Sequence, residues 1–201
     1  MLLLVGLGNP GSGYANNRHN IGFMALDAIV RHYSFSSFSK KFHGNIADGV
    51  IDGEKVIALK PDTYMNDSGR SVSAVCNYFK IEPNRIFVFH DELDLANAKV
   101  RVKRGGGHSG HNGLRSIHKH IGPDYCRVRI GIGHPGDKNL VIGHVLKDFS
   151  KDDTEWLDKV LEAISTNANL LVSGCDNDFM TFVAAKLRPL NFKKTDNENG
   201  V

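Results

Sequence analysis

The apolar positions change period within the first fifth of the chain, and the change locates a strand, a turn and a helix. Leu2–Val5 is an unbroken apolar run of strand length that ends at GLGNPGSG (6–13), and such a run bounded by turn residues reads as a buried strand. Near residue 20 the spacing becomes helical, with Ile21, Ala25, Ala28, Ile29 and His32 on one face of a helix over 20–33. Residues 34–43, SFSSFSKKFH, have no period and read as a loop or lid. Asn45–Val50 and Lys55–Lys60 flank an Asp52-Gly53 turn, a hairpin signal, and Pro61 ends the second strand.

Val72, Val75, Cys76 and Phe79 mark a helix near 69–80, with Asp67 or Ser68 available as its cap. Arg85–His90 is a second buried strand. Lys99–Arg104 alternates, setting Val100 and Val102 against Lys99, Arg101 and Lys103. A glycine-rich GGGHSGHNG (105–113) leads into a short helix carrying Leu114, Ile117 and Ile121. Cys126–Ile132 alternates again, with Val128, Ile130 and Ile132 inward. Residues 151–187 hold two helices, one around Trp156, Val160, Ile164 and Leu171 and one over Phe179–Leu187. Residues 191–201 read as a flexible tail after a single domain spanning 1–190. Alternating strands and helices with hairpin-like pairs predict an α/β domain, a mixed sheet covered by helices.

Composition narrows the function classes. With 201 residues, 41% of them apolar, the chain builds a substantial core, and no apolar run reaches membrane-spanning length. MLLLV has no basic flank and runs straight into a glycine loop, which is unlike a signal peptide. Three cysteines without a CxxC pair fit reduced core residues in a cytoplasmic protein. A net charge of +3 permits an anionic partner without requiring one.

Gly6, Gly8 and Gly11 have the spacing of the dinucleotide-binding fingerprint. In that fold the glycine turn already opens the helix, and an acidic residue about 20 positions on ends a second strand. Here the helical period starts well after Gly11, and Asp27 falls within the helix. A nicotinamide or flavin enzyme therefore stands as a third-ranked alternative.

In open α/β sheets, ligands bind beyond the carboxyl ends of the strands. Asn9 and His19 follow the first strand, Tyr64, Met65 and Asn66 the hairpin, His90, Asp91, Glu92 and Asp94 the strand RIFVFH, and His134 the strand CRVRIGIG. If those strands are parallel, the clusters converge, with His108, His111 and Asn112 of the glycine loop closing over them. A serine hydrolase built on GHSGH misses the nucleophile-elbow pattern, because His111 occupies its last glycine. Zinc held by His108, His111 and Asp91 is a further reading, set back by an HxxH spacing that lies in a loop and not on a helix. A histidine base oriented by a carboxylate and assisted by asparagine amides suits water activation near neutral pH. Lys99, Arg101, Lys103, Arg127 and Arg129 on two flanking strands suit a phosphate-bearing ligand such as nucleic acid.

NPGSGYANNRHNIGF (9–23), PDTYMNDSG (61–69), FHDELDL (89–95), GGGHSGHNGL (105–114) and RIGIGHPGDK (129–138) resemble, in order and over almost the whole chain, the signature blocks of bacterial peptidyl-tRNA hydrolases. The resemblance implies a monomeric α/β/α enzyme, without metal or cofactor, that cleaves the ester between a peptide and the tRNA 3′ end. It implies His19 as general base, Asp91 as its orienting partner, and Asn9 and Asn112 as groups holding substrate and water. Asn66 would bind the peptide backbone, and Tyr14, Tyr64, Met65 and His111 would contact the substrate and shape its walls. Lys103 and Arg129 would clamp the tRNA 5′-phosphate. The alternative within the family is a catalytically silent RNA-binding relative. Asn17 stands where the family usually has threonine and Ser109 where it has glycine. The serine puts that loop's backbone angles in question, because a Cβ restricts positive φ.

Overall fold

The runs Leu2–Val5 and Ile86–Phe89 are apolar on both faces, which only a central strand covered on both sides can bury. The computed structural model describes residues 1–188. The expected tail, 191–201, lies outside the described residues. In chain order the elements are β1 (Leu2–Gly6), α1 (Ile21–His32), β2 (Ser39–Lys41), β3 (Gly44–Ile51), β4 (Glu54–Pro61), α2 (Ser68–Phe79), β5 (Ile86–Glu92), β6 (Val100–Arg104), α3 (Asn112–Ile121), β7 (Cys126–Gly131), α4 (Val141–Val145), α5 (Thr154–Thr166), α6 (Ala168–Val172) and α7 (Asp176–Leu187). The seven strands form one sheet in the order β2-β3-β4-β1-β5-β7-β6. Its four central strands are parallel, while β3 and β6 pair antiparallel with their inner neighbours.

Alternation along each strand divides the core. Leu2, Leu4, Phe87 and Phe89 pack under α1, α5 and α7, against Leu26, Ile29, Val160, Ile164 and Phe179. Leu3, Val5, Ile86 and Val88 pack under α2 and α3, against Val72, Val75, Leu114 and Ile117. The result is an α/β/α sandwich with a mixed, largely parallel sheet. Every loop that follows a central parallel strand leaves from the same edge, so the polar clusters singled out in the sequence gather there.

Four local expectations need correction. Residues 34–43 are not all loop: Ser39–Lys41 pair antiparallel with β3, Ser39 opposite Ile46. Three exposed residues are too few to show a period, and two lysines on an edge strand discourage pairing with another chain. Neither Asp67 nor Ser68 caps α2 with its side chain; the Ser68 hydroxyl donates to the Met65 carbonyl instead. Residues 151–187 hold three helices, not two. Asn167 leaves helical geometry and donates its amide to the Ala163 carbonyl, which ends α5 and places Leu171 on α6. Cys76 and Cys126 are buried, which pushes their thiols up to about 11 and about 12, but Cys175 is exposed before α7.

The start of α1 is pressed onto the sheet through two glycines. A Cβ on Gly22 would strike the Phe89 carbonyl oxygen and the Leu7 backbone, and one on Gly6 would strike the Gly22 carbonyl. The Phe23 amide donates to the Leu7 carbonyl at 3.1 Å across this contact. Gly22→Ala should therefore lower stability by about 3 kcal/mol, or roughly 6–12 °C in Tm for a chain of this size. Thermal unfolding within about 2 °C of the parent would show that α1 is free to move off the sheet.

Candidate active site

Two single 3-10 turns, Ser12–Tyr14 and Arg18–Asn20, separate β1 from α1, and the second carries His19. Asn20 holds this loop by a reciprocal pair of hydrogen bonds: its Oδ1 accepts from the Asn9 amide and its Nδ2 donates to the Asn9 carbonyl, both at 2.9 Å. Gly8 makes room for it, since a Cβ there would lie 3.0 Å from Asn20 Cγ. Asn9 Oδ1 in turn accepts from the Met65 amide at 2.8 Å, tying the loop after β1 to the loop after β4. The Asn9 Nδ2 group has no acceptor among the described residues.

On the other side of His19, Arg18 straps down the segment that precedes α5. Its guanidinium donates to the Asp148 carbonyl at 2.8 Å and to Asp153 Oδ2 at 2.7 Å. Asn17 adds a bond from its Nδ2 to Asp148 Oδ1 at 2.6 Å, so this departure from the usual threonine has a structural task.

His19 Nδ1 lies 2.9 Å from both oxygens of the buried Asp91 at the end of β5. The carboxylate accepts, so Nδ1 carries the proton and the Nε2 lone pair of the neutral ring is left for other work. Nε2 has no partner among the described residues and reaches a cavity of about 340 Å³. Burial pulls the His19 pKa down, but the charge of Asp91 and its hydrogen bond outweigh that and hold it above its ordinary 6.5. Burial favours the neutral acid in Asp91, yet the two histidines around it keep the group well below the usual carboxylate range.

The second of those histidines is His111. Its Nδ1 accepts from the Gly113 amide at 3.1 Å, capping α3, and its Nε2 lies 2.9 Å from Asp91 Oδ1. His19, Asp91 and His111 thus have ligand-type atoms within 4.8 Å of one another. With its Nδ1 committed to the Gly113 amide, His111 presents an N–H to the carboxylate and not a lone pair. His108 stands outside the trio, its Nδ1 accepting from the Gly110 amide. Ser109 makes no hydrogen bond to either flanking histidine, and it adopts the positive φ of 47° that its Cβ disfavours.

Asn112, exposed at the start of α3, lines the cavity together with His19, His90, Asp91 and His111. Leu93, Leu114, Val141, Ile142 and Val145 supply an apolar wall. None of these reads in the sequence as a site residue: Leu114 falls on the apolar face of its helix, and α4 is too short to show a period. Asn66 shares a neighbouring cleft with Asn112, Arg115 and Ser116. Met65 is 4% exposed, with its sulfur packed against Gly113 behind the wall. Tyr14 is half-buried beside Gly11, and Tyr64 is 65% exposed. Neither tyrosine lines the cavity.

The basic strands need one revision. Arg127 is 3% exposed, and its guanidinium donates to the carbonyls of Gly105 and Gly107, clamping the glycine loop from beneath. Lys103 is exposed on β6, near Gly106, and makes no ion pair among the described residues. Arg129 donates through Nε to Glu92 at 2.8 Å.

His90 is wholly buried beside the site, its Nδ1 on the Asp91 carbonyl and its Nε2 without a protein partner. Burial drops its pKa to about 3. Between pH 6.5 and 3 the unfolded chain binds a proton here that the folded chain refuses, so stability falls as pH falls, by up to about 1.4 kcal/mol per pH unit. His19, held above 6.5, acts at higher pH and with the opposite sign. Chemical unfolding at pH 6 and pH 4.5 should show a shallower loss for His90→Asn than for the parent. The asparagine's lost volume shifts both points equally, so an unchanged slope would remove His90 from the linkage.

The family model for peptidyl-tRNA hydrolase matches residues 3–190. Peptidyl-tRNA hydrolases from Ruegeria sp. and Parvibaculum lavamentivorans are each 56% identical, covering 94% and 96% of this chain and 76% and 95% of their own. The one from Bradyrhizobium diazoefficiens is 54% identical over 100% of this chain and 99% of its own. The crystal structure of the Acinetobacter baumannii peptidyl-tRNA hydrolase superposes with a TM-score of 0.85 at 44% identity, over 92% of this chain and 95% of that one. A family model matching residues 3–190, and relatives 54–56% identical over at least 94% of this chain, place the chain in the peptidyl-tRNA hydrolase family.

Proposed function

We propose that this protein hydrolyses the ester joining a peptide, or an N-blocked amino acid, to the 3′ end of tRNA, with His19 as the base that activates water. The observation that carries this reading is the His19–Asp91 pair: an ionised carboxylate fixes one ring nitrogen and leaves the other, as a lone pair, at an open cavity. The water oxygen attacks the ester carbonyl carbon as Nε2 takes its proton. The imidazolium that forms is stabilised by Asp91. When the tetrahedral intermediate collapses, the C–O bond to the tRNA breaks and Nε2 returns the proton to the departing 3′ oxygen. The products are a free peptide acid and intact tRNA.

The free Nδ2 of Asn9 and the exposed amide of Asn112 are the donors for substrate, water and developing oxyanion. Asn66, in the cleft adjoining Asn112, is placed to meet the peptide backbone. Tyr14, on the loop after β1, and Tyr64 and Met65, on the loop after β4, complete the substrate-contacting set. Lys103 and Arg129, on neighbouring strands beside the glycine loop, take the tRNA 5′-phosphate, a contact that recognises a tRNA end without reading bases. The protein acts as a monomer in the cytoplasm, where translation supplies its substrate. No described helix is long and apolar enough to cross a membrane.

Purified protein should release the acyl group from N-acetylaminoacyl-tRNA in the presence of a chelator, and from unblocked aminoacyl-tRNA far more slowly. Binding of tRNA without ester cleavage would replace this reading with that of an RNA-binding relative.

A further inference from the structure

Asp91 Oδ1 accepts two ring N–H groups, from His19 Nδ1 and from His111 Nε2, each at 2.9 Å. The two rings differ in what holds their far nitrogens. The far nitrogen of His19 opens to the cavity, whereas that of His111 accepts from the backbone amides of Gly113 and Leu114, at 3.1 and 3.4 Å. Because those amides can only donate, the first turn of α3 bars a proton from His111 Nδ1 and obliges Nε2 to carry one. The same ring therefore caps a helix and donates to the catalytic carboxylate.

We propose that His111 is a positioning residue for the base: capping α3 fixes its tautomer, and its Nε2–H shares Asp91 Oδ1, limiting how strongly Asp91 draws a proton onto His19. A carboxylate that already satisfies one donor is a weaker partner for an imidazolium than one left to a single ring. The device goes beyond a wall-forming role for His111, and its catalytic consequence rests on His19 being the base.

Other ionisable groups around the pair are engaged elsewhere. On β5, His90 turns to the Asp91 backbone carbonyl, and Glu92 is paired with Arg129 of β7. Arg127 of β7 grips the glycine loop, and His108 on that loop accepts from Gly110. Arg18, next to His19, is paired with Asp153. His144 of α4 bonds the Ile132 carbonyl, and Asp94 and His134 line the cavity without a hydrogen bond to the pair. His111 is the group left to adjust the carboxylate.

Two substitutions separate the two jobs of the ring. In His111→Asn the amide oxygen stands near the position of Nδ1, so the cap survives and the donor to Asp91 is lost. In His111→Gln the amide nitrogen stands near the position of Nε2, so the donor survives and the cap is lost. The readouts on the full chain are the NMR titration of the His19 ring, without tRNA, and the pH dependence of kcat/KM on N-acetylaminoacyl-tRNA. His111→Asn should keep the parent Tm and raise the His19 midpoint by roughly half to one pH unit. His111→Gln should melt lower and keep the parent midpoint. A parent midpoint in His111→Asn, or a shifted one in His111→Gln, would overturn the proposal. Should the asparagine chain fail to fold, His111→Ser, which keeps a capping oxygen and has no donor that reaches Asp91, takes its place with the same expected rise, and an unchanged midpoint there would overturn the proposal. The NMR arm needs no turnover, so it fails independently of the esterase reading.

Discussion

His19→Ala is expected to lose a thousandfold or more in kcat on N-acetylaminoacyl-tRNA while binding tRNA with unchanged affinity. General-base catalysis contributes roughly 10² to 10⁴ in rate. Here the same nitrogen both takes the proton from water and returns it to the leaving oxygen, which puts the loss toward the upper end. Neither imidazole that flanks the pair can substitute. His111 has its proton on the nitrogen facing Asp91 and its lone pair committed to α3, and burial drops the His90 pKa to about 3, too low for a base near neutral pH. The fold should survive, because Asn9 and Asn20 hold the loop without the imidazole and Asp91 keeps the His111 donor. Stopped assays with filter binding on the same preparation would read both quantities. Activity within tenfold of the parent would remove His19 as the base.

Asp91→Asn should be nearly as damaging, on the order of 10³ to 10⁴ in kcat, the cost of presenting a catalytic histidine in the wrong tautomer. The direction follows from His111. Its Nε2 must donate, so the introduced amide must turn its oxygen toward His111 and its NH₂ toward His19. His19 Nδ1 then accepts, the ring proton moves to Nε2, and the nitrogen facing the water loses its lone pair. Removing the charge of Asp91 also removes what holds the His19 pKa up, so the residual activity should extend to lower pH than in the parent. A parent-like pH profile with a reduced plateau would mean that Asp91 acts on packing and not on the base.

How much of this was legible in the sequence depended on how far each residue's neighbours are from it in the chain. The central strands were clear because Leu2–Val5 and Ile86–Phe89 are apolar on both faces, a pattern with few solutions. That parallel topology brings Asn9, His19 and Asp91 to one edge followed from the same pattern, whereas Asn112 follows the antiparallel β6 and reaches that edge through the glycine loop. β2 and α6 were not visible, being three and five residues long. Arg127 and Arg129 have the same alternation, but one is buried under the glycine loop and the other faces out. Spacing alone cannot tell a clamp from a ligand. Asn20 was visible only as one of several polar residues in its loop, since its task depends on a backbone eleven residues away. The sharing of Asp91 between two histidines lay beyond any motif, because it needs the strap after β1, the end of β5 and the cap of α3 together.

The central claim is that neutral His19, oriented by Asp91, takes the proton from the attacking water. The most direct test compares two curves from one protein: the NMR titration of the His19 ring, and kcat/KM on N-acetylaminoacyl-tRNA over the same pH range. The base works only when unprotonated, so the rate should rise with pH through a midpoint above 6.5 and coincide with the ring titration. A rate that stays constant while His19 passes from charged to neutral would contradict the account.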